Sequence, residues 1–132
     1  MEEKKNKLLH EDLTYKLIGI FFKIHKTLGC GFPEKIYQKA ITIELEKENI
    51  KYQTEKQIKV KYENKDAGFF RLDLIIDEKV IIEIKAIEAI APVHFAQVLT
   101  YLKFSDCKLA LLINFNTVYL KDGIYRIVNK LN

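Results

Sequence analysis

The order of apolar and polar positions predicts three helices and seven strands along the chain. Apolar residues at helical spacing indicate helices over about residues 9–28, 33–48 and 92–104. Alternating or continuously apolar segments indicate strands over about residues 50–55, 57–62, 69–76, 80–87, 109–114, 118–120 and 124–128. The order α, α, β, β, β, β, α, β, β, β predicts an α/β sandwich with a mixed central sheet flanked by helices. The third helix is long enough to serve as a crossover between two parallel strands.

The same periodicity predicts which side chains point into the core. In the strand at residues 69–76, alternation places Leu72, Leu74 and Ile76 on one face. The residues expected to face inward from the helices are Ile18, Phe21, His25, Leu28, Tyr37, Ile41, Leu45, Phe95, Val98, Leu99 and Leu102. The simplest interpretation of His25 in such an apolar stripe is a hydrogen-bonded core residue.

The hairpin predicted at residues 69–87 carries charges inside its apolar runs. Asp73 interrupts the first strand, and Glu83 and Lys85 share one face of the second. If residues 77–79 form a three-residue turn, Asp73 lies opposite Glu83 and Arg71 lies opposite Lys85. A turn that is one residue shorter would break this pairing, and the sequence alone does not fix the turn.

Two carboxylates side by side on one strand face repel each other, and like charges directly opposite destabilise a hairpin. A divalent cation relieves that repulsion, since carboxylate oxygens are natural ligands of Mg²⁺ and Mn²⁺. Lys85 lies one pleat away on the same face, within reach of a phosphate. The alternative is a solvated hairpin with one charged face, which is common in antiparallel sheets.

Three polar residues on the predicted helices are further candidates. Glu34 lies in the first turn of the second helix, where an acid is favoured by the helix dipole, yet it shares a face with inward-pointing residues. Gln97 and Tyr101 stand four residues apart on the third helix and share a face with His94. They are suited to holding a phosphate backbone, although residues of these types are also common at interfaces.

Composition agrees with one globular domain. The chain has 132 residues, of which 48% are hydrophobic, enough for a single core. No apolar run approaches a membrane span, and the polar start lacks the apolar segment of a secretory signal, so we expect a cytoplasmic protein without a membrane partner. Cys30 and Cys107 lack metal-ligand spacing and are expected to be reduced thiols. The net charge of +4 permits a nucleic-acid partner without requiring one.

Several of these residues together resemble a known family. Gly31, Glu34 and Tyr37 match G-x-x-E-x-x-Y, the string for which the GxxExxY protein family is named, and the context over residues 25–40 is similar too. The further matches are the Asp73 strand, residues 83–86, Gln97 and Tyr101. The resemblance covers nearly the whole chain. Its motifs are specific in combination, whereas any one of them alone is not.

The GxxExxY family is placed in the PD-(D/E)xK nuclease superfamily. The resemblance therefore implies a restriction-endonuclease-like α/β sandwich, here a single domain over residues 1–132. It also implies a Mg²⁺ or Mn²⁺ site, in which Asp73 and Glu83 bind the metal and Glu34 is the additional helical acid of some branches. Lys85 matches the active-site lysine. Leu72 precedes the motif aspartate where the pattern has Pro, a departure found in many members.

The remaining expected roles concern the metal shell and the substrate. The main-chain carbonyl of Ile84 is expected to complete the metal shell, because it lies between Glu83 and Lys85. The Gln and Tyr of the third helix resemble the Q-x-x-x-Y pair of the exonuclease-like branch. The residues expected to bind substrate are Gln97, Tyr101, Arg71 and His25.

These features predict a metal-dependent nuclease that hydrolyses phosphodiester bonds of DNA or RNA, with DNA favoured. The expected catalytic residues are Lys85, Glu34, Asp73 and Glu83. The alternative is a non-catalytic module that binds nucleic acid or protein and retains the nuclease fold. The intact acid–acid–lysine set favours the enzyme, because a retired enzyme is expected to have lost one member. A protein partner or a homo-oligomer is compatible with a domain of this size.

Overall fold

A computed structural model describes residues 9–129 as helices packed on both faces of a five-stranded mixed sheet. The helices are α1 (Glu11–Leu28), α2 (Glu34–Lys47) and α3 (Pro92–Phe104). The strands are β1 (Tyr52–Tyr62), β2 (Lys65–Ile76), β3 (Val80–Lys85), β4 (Leu109–Asn114) and β5 (Ile124–Val128). The predicted α/β class and the flanked mixed sheet are confirmed. The polar start of the chain, residues 1–8, on which the expectation of no secretory signal partly depends, lies outside the described residues.

The strands lie in the order β1-β2-β3-β4-β5. Every neighbouring pair is antiparallel except β3 and β4, which are parallel and are joined through α3. This confirms that α3 is a crossover helix. The pairing of Ile76 with Val80 leaves three residues between β2 and β3, so the three-residue turn is also confirmed. Its first two residues, Asp77 and Glu78, have positive φ angles of 52° and 57°.

Each face of the sheet has its own apolar core. Helices α1 and α2 cover the first face, where Phe21, Tyr37 and Phe115 are fully buried. Helix α3 covers the second face mainly through Val98 and Leu102. All six residues of β4 are buried, as predicted for a central strand covered on both sides. The ends of β3 and β4 therefore lie where both helical layers meet the sheet.

Strand β2 switches its inward face at Asp73. Leu74 lies in the first core and Leu72 lies in the second, although strict alternation would place both in the same core. The predicted shared face is therefore wrong for Leu72. The partner strand explains the switch, because Glu55 of β1 has a positive φ of 54° and leaves a gap in the ladder opposite Asp73. Glu55 lies inside one continuous strand, β1, whereas the sequence predicted two short strands at residues 50–55 and 57–62.

The inward faces of two helices differ slightly from the prediction. In α1 the buried positions include Leu17 and Ile24, so the apolar stripe lies one residue before the predicted Ile18 and His25, which are only partly buried. The buried stripe begins at Thr14 and continues in steps of three and four residues through Leu17 and Phe21 to Ile24, which leaves Ile18 and His25 at its edge. In α3 Leu99 is 47% exposed, because Val98 and Leu102 already fill the contact with the sheet.

The predicted strand at residues 118–120 is also wrong. A 3₁₀ turn, Leu120–Gly123, precedes β5 there and buries Leu120 in the first core. A side chain at Gly123 would place its Cβ only 2.5 Å from Thr117 Oγ1, so the tight turn requires glycine. None of the helices between residues 9 and 129 is long and apolar enough to cross a membrane.

Candidate active site

Asp73 occupies the point where β2 and β3 separate. The ladder between them ends at the pair of Leu74 and Ile82, so Asp73 and Glu83 are the first residues of the two strands beyond it. Beyond that point the main-chain N–H of Ile84 donates to Asp73 Oδ2 at 2.9 Å. A carboxylate has thus replaced the strand partner, and the two acids lie on adjacent strands at the end of the ladder.

Glu83 is the most deeply buried acid of the site. It is 5% exposed, and its Oε2 lies 3.5 Å from the ammonium nitrogen of Lys85. Its other oxygen, Oε1, is buried without any hydrogen-bond partner. A buried acceptor without a partner is rare in a folded protein and costs stability, so this oxygen marks a position where a ligand could bind.

Burial and neighbouring carboxyl groups raise the pKa values of both acids. Burial, and then the neighbouring Asp73 carboxyl, raise the pKa of Glu83 to about 8. Burial also raises the pKa of Asp73, with repulsion from Glu34 and Glu55 adding to the effect and the Ile84 N–H opposing it. At neutral pH the metal-free pair therefore carries less than its full double negative charge.

Lys85 and two residues of α3, Gln97 and Tyr101, lie beside the two acids. Lys85 Nζ donates to Gln97 Oε1 at 3.2 Å, so the ammonium is held between Gln97 and Glu83. Tyr101 stacks on Phe70 of β2, with 4.8 Å between ring centroids. Burial and the nearby negative charge of Glu83 raise the pKa of Tyr101 to about 12, so its hydroxyl keeps its proton. The structure thus brings Lys85, Gln97 and Tyr101 together beside the two acids.

Glu34 reaches the site from the start of α2. Its Oε2 accepts a hydrogen bond at 3.3 Å from the main-chain N–H of Ala86, just after β3. The side chain is exposed, so the expectation of an acid on an inward face is wrong. The first turn of α2 lies at the rim of the sheet, which lets an exposed acid reach the end of β3.

Tyr37 accounts for the spacing of the G-x-x-E-x-x-Y string. Its fully buried ring stacks on Phe115 at 4.4 Å, and its hydroxyl donates to the carbonyl of Gly29 at 2.5 Å. The same hydroxyl accepts from the N–H of Phe32 at 3.4 Å. Tyr37 therefore anchors the loop before α2 to the core. Gly31 has a φ of 103°, which favours glycine in that loop, and Glu34 follows one turn later.

Asn114 is a site-supporting residue that the sequence did not single out. It is 2% exposed at the end of β4, where its Nδ2 donates to the carbonyl of Ile87 at 2.9 Å. Its Oδ1 accepts from the N–H groups of Ile87 and Asn116. These bonds hold the segment that follows Lys85. The sequence does carry one signal that could have identified Asn114, since it is the single polar residue at the end of an otherwise continuous apolar strand.

The contacts of Arg71 and His25 are with residues outside this cluster. Arg71 is exposed on β2, with its guanidinium carbon 5.5 Å from the centroid of the Phe69 ring. The expected pairing of Arg71 with Lys85 does not form, because β2 pairs with β3 only from Leu74 onward. His25 is partly buried, and its Nε2 lies 3.8 Å from the sulfur of Cys30. Both cysteines are free, in agreement with the expected reduced thiols.

The donor set suits a cation that also binds water and substrate. Within residues 9–129 no three His, Cys, Asp or Glu side chains converge closely enough to enclose a metal ion. Asp73 and Glu83 provide two carboxylates, and Mg²⁺ is commonly held by one or two carboxylates with water and phosphate oxygens as its other ligands. The partnerless Oε1 of Glu83 fits such a ligand. The residues therefore fit an open Mg²⁺ or Mn²⁺ site and do not form an all-protein cage.

The fold and this acid–acid–lysine cluster define a nuclease-like class, and comparison with known proteins agrees. A family model described as the PD-(D/E)XK nuclease superfamily matches residues 11–127. The chain therefore belongs to the PD-(D/E)XK nuclease superfamily, and the predicted restriction-endonuclease-like fold is confirmed. No match was found among curated proteins or among solved structures. The narrower assignment to the GxxExxY family stays a prediction.

Proposed function

We propose that this chain is a metal-dependent nuclease that hydrolyses phosphodiester bonds and that its site lies within a single domain. The observation that carries the proposal is the buried pair of Asp73 and Glu83 beside the ammonium of Lys85. Burying charged groups is costly, and strongly shifted pKa values are concentrated at functional sites. Membership of the nuclease superfamily supports a nucleic acid as the substrate.

The metal ligands in this proposal are Asp73 and Glu83, with the carbonyl of Ile84 and the Glu34 carboxylate as further oxygen donors. Bound Mg²⁺ or Mn²⁺ would lower the pKa of a water molecule and neutralise charge on the phosphate. Glu83 must lose its proton to bind the metal, so its raised pKa makes metal affinity increase with pH. The N–H of Ala86 orients Glu34 toward the end of β3.

Lys85 has the geometry to act on the reacting phosphate. An ammonium has three N–H donors, and the structure directs two of them toward Glu83 and Gln97. The third is available for a phosphate oxygen or an attacking water. In this role Lys85 stabilises the negative charge that develops on the phosphate, an effect that depends on a fixed donor. Gln97 supplies that fixation, while Tyr101, which stays protonated, can donate to the substrate backbone.

A cleavage assay with a matched variant tests this function. Purified wild-type protein is incubated with labelled single-stranded, duplex and branched DNA and RNA, in Mg²⁺, in Mn²⁺ and in chelator. We expect metal-dependent cleavage by wild type, loss of at least a hundredfold in Asp73→Asn, and unchanged cleavage in Asp106→Asn, which alters an exposed acid. Absence of metal-dependent cleavage on every substrate, or equal cleavage by both variants, would reject the proposal.

A further inference from the structure

The outer part of the β1–β2 hairpin extends beyond the rest of the sheet. Strand β3 pairs with β2 only between Leu74 and Ile76, whereas β1 pairs with β2 as far as Tyr62 and Lys65. We call the two-stranded segment at residues 56–71 the outer ribbon. From the pair formed by Lys56 to the hairpin turn it is about 20 Å long, at about 3.3 Å per residue.

The tip of the outer ribbon has solvent on both faces. Every residue from 61 to 69 is exposed, including Tyr62 at 70% and Phe69 at 53%. Side chains at Lys59 and Phe69 pair across one face, and Val60 pairs with Gly68 on the other. A ribbon that is exposed on both faces can enter a groove, whereas a strand with one covered face can only be approached from the side.

The outer ribbon carries most of the net positive charge of the chain. It has five basic and two acidic residues, a net charge of +3 compared with +4 for all 132 residues. Its basic residues are Lys56, Lys59, Lys61, Lys65 and Arg71. None of the four lysines forms an ion pair within the described residues. One of the two acids, Asp66, accepts the N–H of Gly68 at 2.8 Å and so serves the turn.

The shape of the outer ribbon is suited to the major groove of B-form DNA. That groove is about 12 Å wide and admits a two-stranded ribbon, whereas the major groove of A-form RNA is too narrow for side chains. The register shift between Val60 and Lys61 adds a bulge, which increases the twist of the strands. A length of about 20 Å corresponds to about six base pairs along the helix axis of the duplex, since the axis advances about 3.4 Å per base pair.

We propose that the outer ribbon is a docking arm that inserts into the major groove of duplex DNA beside the candidate active site. The arm is continuous with the site, because β2 runs from the ribbon into Asp73 and Phe70 stacks on Tyr101. DNA held by the lysines of the arm therefore lies next to the acid–acid–lysine cluster. The inference rests on the proposed function for the choice of nucleic acid as the ligand, and it narrows that choice to duplex DNA.

Binding measurements in chelator test the arm without cleavage. Fluorescence anisotropy compares wild type with the tip variant Lys59→Ala/Lys61→Ala/Lys65→Ala on a DNA duplex across a salt series. The affinity falls as salt rises, and each lost phosphate contact makes the slope of log affinity against log salt less steep by about 1. We therefore expect the slope of the tip variant to be less steep by about three, with at least about a tenfold loss of affinity. The matched control, Lys16→Ala/Lys26→Ala/Lys121→Ala, removes three exposed lysines elsewhere and should bind as wild type does.

Two further ligands test the shape argument. Wild type should bind the DNA duplex at least about tenfold more tightly than an RNA duplex of the same sequence, because the two major grooves differ. The proposal is overturned by equal binding of the two duplexes, by tighter binding of single-stranded DNA, by equal losses in the two triple variants, or by no binding of DNA. Lysine-dependent duplex binding without cleavage in metal would support the arm and reject the nuclease, so the two proposals can fail separately.

Discussion

Replacing Glu83 by Gln should stabilise the metal-free protein at high pH and leave it nearly unchanged at low pH. Glutamine keeps the size and shape of the protonated acid but cannot ionise. Because burial and the Asp73 carboxyl raise the pKa of Glu83 to about 8, the folded wild-type protein holds a proton that the unfolded chain releases near pH 4.5. The variant therefore differs from wild type only where ionisation matters.

The magnitude follows from proton linkage. The stability contributed by the proton on Glu83 is complete below about pH 4.5 and is lost as the pH rises toward about 8. Each pH unit in that interval removes about 1.4 kcal/mol from the free energy of unfolding. Between pH 5 and 8 the loss is about 4 kcal/mol, and the side chain is only 6% exposed, so solvent screening reduces it little. The variant should avoid this loss.

Urea denaturation of both proteins in chelator, from pH 5 to 9, measures the difference directly. Titrating groups remote from Glu83 affect the two proteins equally and cancel when the free energies are subtracted, so the difference reports on Glu83 together with the Asp73 carboxyl that is coupled to it. Glu44→Gln is the matched control, because hydrogen bonding to Lys23 lowers the pKa of Glu44, and its replacement should destabilise the protein at high pH. A free-energy difference between Glu83→Gln and wild type that stays constant across this pH range would refute the account of the buried acid pair.

Three other predictions concern the metal and the residues that support the site. Mn²⁺ should raise the melting temperature of wild type relative to chelator and should not do so in Asp73→Asn, as differential scanning fluorimetry can check; equal shifts would argue against a metal at this acid. Tyr37→Phe should lower the free energy of unfolding by about 1–3 kcal/mol, because it leaves the partly buried Gly29 carbonyl without its donor, and urea denaturation measures the loss. Asn114→Leu should cost a similar amount, about 1–3 kcal/mol, and should speed amide hydrogen exchange at Ile87, while unchanged exchange would contradict its anchoring role.

The fold was predictable where the local pattern determines the contact. Alternation in β2 and β3 and the three residues between them were enough to predict that Asp73 and Glu83 are neighbours on adjacent strands. The length of the segment before β4 was enough to predict the crossover. The position of Leu72 was not predictable, because it depends on the positive φ of Glu55 on the neighbouring strand. A glutamate in that conformation leaves no mark in the sequence pattern.

The site was predictable for residues whose neighbours are close along the chain or whose motif is distinctive. Lys85 lies one pleat from Glu83, so alternation alone places them on one face. The support from Asn114 depends on bonds to a residue 27 positions earlier in the chain, and periodicity carries no such information. The expected pairing of Arg71 with Lys85 does not form for a related reason, since a register extrapolated from the turn does not predict where two strands separate.

The most direct test of the central claim separates binding from cleavage in Lys85→Ala. Duplex DNA binding is measured in chelator, and single-turnover cleavage is measured with saturating protein in Mn²⁺. We predict that the variant keeps most of its DNA affinity, because one lysine is a small part of the basic surface. Its cleavage rate should fall by a hundredfold or more, because the group acts on charge that develops at the phosphate. Cleavage by Lys85→Ala at the wild-type rate would contradict the assignment of this cluster as the active site of a nuclease.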